Sequence, residues 1–168
     1  MSVDSDIGKW VRLAQMDYDA AENMVNLHNP VPIEIVCYHA QQSAEKILKA
    51  YAIANGEKLI KTHDLSVLLN QCARHSPDFS NHAKSCITLT MYASFSRYPS
   101  SVEITEQQMH LALEEAKSIL EFTKSRLAEV GYCISEKKKS LAERLEAARE
   151  KVAESDSSSP QKSKRKER

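Results

Sequence analysis

His39, Gln42, Lys46 and Lys49 follow one another at spacings of three, four and three residues, which brings all four to one face if the stretch is helical. Such a face is polar and cationic. Two lysines about one turn apart can hold a phosphate, and the amide of Gln42 can orient a base or a sugar. A solvated face opposite a core has the same composition, and Glu45 is placed to neutralise Lys49 within the helix. Arg97 prolongs an apolar line through Phe79, Ala83, Cys86, Thr90 and Ala93, where an arginine requires an anionic partner. Asp17, between Leu13 and Ala21 on another apolar stripe, requires a cationic one. Arg97 therefore has two readings: a structural Asp17–Arg97 pair, or a cleft for a phosphate or an RNA backbone bordered by Arg97, Tyr98 and a lysine. His63 stands next to Thr62, where its imidazole can anchor a loop or meet a ligand. His28, His75, His82 and His110 show no metal-ligand spacing, and the chain has no P-loop, no G-x-G-x-x-G and no H-E-x-x-H. Neither a metal nor a cofactor is expected.

The elements that must position these groups are helices. Trp10, Leu13, Ala14, Ala21, Met24 and Leu27 recur at three- and four-residue spacing and predict a first helix over Ile7–Leu27. Asn29-Pro-Val-Pro32 interrupts it. Pro32 suits the first turn of a second helix that carries Ile33, Val36, Cys37, Ala40, Ala44, Ile47, Leu48 and Tyr51 on its apolar face and stops at Gly56. Thr62 is the expected N-cap of a short third helix bearing Leu65, Leu68, Leu69 and Cys72. A fourth comes after Ser76-Pro77 and ends near Tyr98, before Pro99. Thr105 with Gln108 forms a capping box, flanked by an Ile104–Met109 staple, for a fifth helix that runs through Ala112, Leu113, Ala116, Ile119, Leu120, Thr123, Leu127 and Val130 to Gly131. The expected fold is all-α: an antiparallel up-and-down bundle of four to five helices, with a C-terminal charged helix and a disordered tail.

With 168 residues, three Gly and five Pro, the chain has room for one helical domain, and a core of about 130 residues buries roughly two-thirds of its unfolded surface. The expected organisation is a bundle over 1–134, a charged helix over 135–154 with a thin stripe of Leu141, Leu145, Ala148 and Val152, and a Ser/Lys/Arg tail over 155–168. Zero net charge conceals an asymmetry, because residues 1–134 carry 12 Lys and Arg against 16 Asp and Glu, whereas 135–168 carry 11 against 7. A mildly acidic bundle does not hold duplex nucleic acid by bulk charge, so any anion site in it must be local. Cys37, Cys72, Cys86 and Cys133 are too scattered for a C-x-x-C pair and read as reduced thiols. Neither a membrane span nor a secretory leader is visible, so the expectation is a cytoplasmic protein without a membrane partner.

Four blocks, A-x-x-D-Y-D-A-A (Ala14–Ala21), Y-H-A-Q-Q-S-A-E-K-I-L-K-A-Y (Tyr38–Tyr51), K-T-H-D-L (Lys61–Leu65) and S-R-Y-P (Ser96–Pro99), occur in this order. Together they resemble the HEPN family, the "higher eukaryotes and prokaryotes nucleotide-binding" domain, over about Asp6–Val130. The resemblance implies a bundle that dimerises, a minimal nucleotidyltransferase as partner in a toxin–antitoxin-like system, and in many relatives a ribonuclease whose R-x(4-6)-H motif lies at the dimer interface. This chain departs from that motif, since Val102, Glu103 and Ile104 stand where the histidine after Arg97 should be. The resemblance therefore implies a non-catalytic module binding a nucleotide or RNA phosphate through Gln42, Lys46, Lys49, His63, Arg97 and Tyr98. The alternatives are a divergent metal-independent ribonuclease with His39 or His63 as base, and a purely structural dimerisation domain.

Overall fold

The computed structural model describes residues 3–95 and 103–132. Arg97, Tyr98, Cys133 and the expected charged helix and tail lie outside the described residues, all of which belong to a unit spanning Met1–Ile134. The chain order is α1 (Val3–Leu27), α2 (Ile33–Ala54), α3 (Leu65–Ala73), a 3-10 helix (Pro77–His82), α4 (Ala83–Phe95) and α5 (Glu106–Glu129). The described residues contain no strand, and the all-α bundle expected from periodicity is the fold.

The centre of the bundle is α2, which packs against α1, α3, α4 and α5. Its apolar line Val36, Cys37, Ala40, Ala44, Ile47, Leu48 and Tyr51 is buried as expected. So are Gln41, Gln42, Ser43, Glu45 and Lys49. A helix with neighbours on most sides has no broad solvated face, and this burial of polar groups defines the candidate site below.

Local chemistry sets the helix ends. Gly56 (φ 78°) and Gly131 (φ 85°) adopt the left-handed conformation open to glycine. Behind them Glu57 N donates to Ala52 O at 3.0 Å and Tyr132 N to Leu127 O at 3.0 Å, each capping carbonyls that the helix leaves free. At the start of α5 the capping box is formed, with Gln108 N donating to Thr105 Oγ1 at 3.3 Å and Thr105 N donating to Gln108 Oε1 at 2.9 Å. Ile104 and Met109 beside it are both buried.

Three expectations are corrected. The N-cap of α3 is Asp64 rather than Thr62: Asp64 Oδ1 accepts from Ser66 N at 2.8 Å, while Thr62 Oγ1 accepts from Asp64 N at 3.1 Å and closes the turn before the helix. The buried line of α1 is Ile7, Val11, Ala14, Tyr18 and Ala21, with Leu13 and Leu27 exposed. Finally, the fourth helix begins as a 3-10 turn around Pro77. The tighter winding of that turn shifts the register of α4, so Ala83 is exposed and Leu89 and Tyr92 join Phe79 and Cys86 in the core.

Candidate functional site

Glu45 is the hub of a polar network inside the bundle. Its carboxylate accepts from Lys49 Nζ at 2.7 Å and from Gln41 Nε2 at 3.0 Å, and it meets His63 Nδ1 at 3.1 Å. Gln42 Nε2 donates to Gln41 Oε1 at 2.8 Å, and Gln41 Nε2 is shared with the His63 carbonyl at 3.3 Å. The side chains of Glu45 and Lys49 are only 6% and 8% exposed, so the pair is taken out of water and depends on being complete. Trp10 of α1 closes the far side, its ring centroid 5.8 Å from the Lys49 ammonium. Burial by itself drives the Glu45 carboxyl upward, but the hydrogen bonds from Lys49, Gln41 and His63 and the charge of Lys49 outweigh it and hold the group below its usual range.

A second cluster joins α1 to α2 on the same stretch of chain. Asp17 Oδ1 meets His39 Nδ1 at 2.9 Å, and Asp17 Oδ2 accepts from Lys46 Nζ. Both oxygens of Asp17 are thus engaged by α2, and Arg97, its expected partner, lies outside the described residues. In each cluster a carboxylate facing Nδ1 places a proton there, so a neutral ring turns a lone pair on Nε2 away from the carboxylate. The His63 side chain is 60% exposed and that of His39 25%.

The α2 face expected from spacing therefore resolves into two parts. Lys49 and Gln42 face inward and are consumed in holding Glu45, whereas Lys46, His39 and His63 reach the surface while tethered to carboxylates. Gln41 and Trp10 complete the network and were not singled out from sequence. Gln41 has a signal, its four-residue spacing to Glu45; Trp10 has none, since its contact with Lys49 crosses between helices.

Other chemistry is limited by burial. Cys37, Cys72 and Cys86 are free and buried, and burial pushes each thiol up to about 12, leaving negligible thiolate at neutral pH. Among the described residues no group of His, Cys, Asp and Glu is arranged to hold a metal ion, and no helix is long and apolar enough to cross a membrane.

A helical bundle built around a central helix with a buried Gln-Glu-Lys network, clasped by a histidine from the following loop, is the class of domain defined here. The HEPN domain model matches residues 7–127, and the chain belongs to the HEPN domain family. Two solved structures are similar in fold. TT1696 from Thermus thermophilus shares 24% identity at a TM-score of 0.64, with 76% of this chain covering 100% of that one. ST0689, described as an archaeal HEPN homologue, shares 22% identity at a TM-score of 0.57, with 72% of this chain covering 97% of that one. No curated protein sequence matches the chain.

Proposed function

We propose that this HEPN protein is a non-catalytic module that binds a nucleotide or an RNA phosphate, acting as a homodimer or with a minimal nucleotidyltransferase partner in the cytoplasm. The observation that carries the reading is the outer part of the α2 face. His39 and Lys46 reach solvent on the two oxygens of Asp17, and His63 reaches it on Glu45; in this reading Arg97 and Tyr98 add further phosphate ligands. In this reading Gln42 and Lys49 act indirectly, by holding the Glu45 carboxylate that fixes His63. The sequence after Arg97 provides no histidine at the ribonuclease position, which supports binding over cleavage.

The test is thermal unfolding of the full chain, wild type and Arg97→Ala, with ATP, GTP or a short RNA oligomer. A ligand at about 100 times its dissociation constant adds roughly 2.7 kcal/mol to stability. Stabilisation of wild type that is lost in Arg97→Ala is the expected result, and unchanged melting with every ligand overturns the reading.

One geometric observation favours a ribonuclease as the second reading. His63 has the arrangement of a general base, with Nδ1 held by a buried carboxylate and Nε2 turned outward. Under this reading RNA is cleaved in the presence of EDTA, and both His63→Ala and Arg97→Ala abolish the cleavage; intact RNA removes it.

A further inference from the structure

We infer that the loop joining α2 to α3 is a docking surface for a partner-protein segment in which apolar side chains are flanked by carboxylates. Two aliphatic side chains of this loop are exposed, Leu59 at 45% and Ile60 at 38%, and in α3, which follows the loop, Val67 is exposed as well, at 41%. They lie among cations. Lys58 and Lys61 bracket the Leu-Ile pair, both exposed, and neither ammonium has a hydrogen bond or ion pair with another described residue.

The acidic residues nearby are already engaged. Glu57 accepts from Arg74 Nη2 at 3.0 Å and from Gln71 Nε2 at 3.3 Å, and it meets His75 Nε2 at 3.0 Å. Asp64 caps α3 through Ser66 N. In a bundle whose residues 1–134 are net negative, this loop keeps unneutralised positive charge on either side of exposed aliphatic surface.

The loop is also held in place at both ends. On one side Gln71 Nε2 donates to Lys58 O at 3.1 Å. On the other, His63 is clasped twice by α2, its carbonyl by Gln41 and its ring by Glu45. Tethers at Lys58 and His63 fix the chain on either side of Leu59 and Ile60, and a surface fixed before binding loses less freedom when a partner arrives.

The chemistry discriminates between partners. An RNA strand would use aromatic side chains for stacking its bases, and the loop tip has none. An anionic bilayer would gain only about 1 kcal/mol from each free lysine, short of what a stable attachment takes. A protein segment with apolar anchors between carboxylates matches both the aliphatic centre and the cationic rim. The inference does not rest on the phosphate site, and either can fail without the other.

The experiment is fluorescence anisotropy of a labelled amphipathic peptide of Glu, Leu and Ala, about four helical turns long, titrated with the full chain. The same peptide with Lys for Glu, a labelled oligo-uridylate, and vesicles of phosphatidylserine with phosphatidylcholine are run alongside. The expected result is salt-sensitive binding of the acidic peptide, weakened about tenfold or more in both Leu59→Ser/Ile60→Ser and Lys58→Glu/Lys61→Glu, with no binding of the basic peptide. Both variants alter only exposed side chains, and each checks the other. Absence of acidic-peptide binding, equal binding by wild type and variants, or a preference for the vesicles or the oligo-uridylate overturns the inference.

Discussion

Replacing Glu45 with leucine removes the acceptor for Lys49, Gln41, His63 and, at 3.5 Å, Gln42, and the surroundings of the first three differ enough for the cost to be apportioned. His63 is 60% exposed at its side chain and can turn to water. Gln41 retains the His63 carbonyl at 3.3 Å. Lys49, at 8% exposure, has no such alternative, and leaving one charge of a buried pair uncompensated costs about 3–5 kcal/mol. Lys49→Met is milder, at about 1–3 kcal/mol, because Glu45 keeps Gln41 and His63. The double variant Glu45→Leu/Lys49→Met removes both charges and replaces them with apolar volume, an exchange that is often near neutral. The expected order of stability is therefore wild type and the double variant close together, then Lys49→Met, then Glu45→Leu. Urea denaturation at neutral pH measures it, with differences read from the midpoints as long as the slope is unchanged. A double variant less stable than Glu45→Leu, or a Glu45→Leu cost below about 1 kcal/mol, would show that the pair behaves as a solvated surface ion pair and that the buried network does not organise the bundle.

The titrating groups make predictions of opposite sign. Glu45, held below its usual range despite burial, contributes stability that is present at neutral pH and above the unfolded carboxyl value; it is lost as acid approaches the lower folded value, so wild type unfolds in acid and Lys49→Met loses less on acidification. Burial lowers His82, so its contribution is present above the unfolded imidazole value and declines as pH falls below it; His82→Gln flattens a melting-temperature profile taken across mildly acidic pH. Glu115 is raised, chiefly by burial, against the opposing effects of Lys84 and Ser85, and its Oε2 has no hydrogen-bond partner. Its favourable contribution exists in acid and disappears as pH rises through the folded value, so Glu115→Gln stabilises the protein at neutral pH and the gain vanishes once pH falls below the unfolded carboxyl value. Thr105→Ala breaks the capping box of α5 and lowers stability by about 1 kcal/mol in the same urea assay.

How much the sequence discloses depends on how many neighbours each helix has. α5 is legible nearly to the residue: its apolar line is buried from Met109 to Leu127, and its capping box and terminal glycine are local signals that need no knowledge of the rest of the fold. α1 is less legible because it carries two overlapping apolar lines, and only the position of α2 selects Val11 and Tyr18 for the interior over Leu13 and Leu27. Thr62 and Asp64 are both competent caps, and the choice depends on a turn in which one hydroxyl serves the other residue's amide. The candidate site is hardest of all. Periodicity assigns polar residues to solvent, a rule that holds for a helix with one buried face and fails for α2, whose neighbours occupy most of its circumference. The sequence does hold a trace of the exception. Gln41, Glu45 and Lys49 recur every four residues as amide, carboxylate and ammonium, a set able to satisfy itself along one side of a helix without water. Burial of that set accounts for His63 as well, since a carboxylate fixed inside the bundle can hold a histidine from the next loop in one place, at the end of a loop on which Leu59 and Ile60 are exposed.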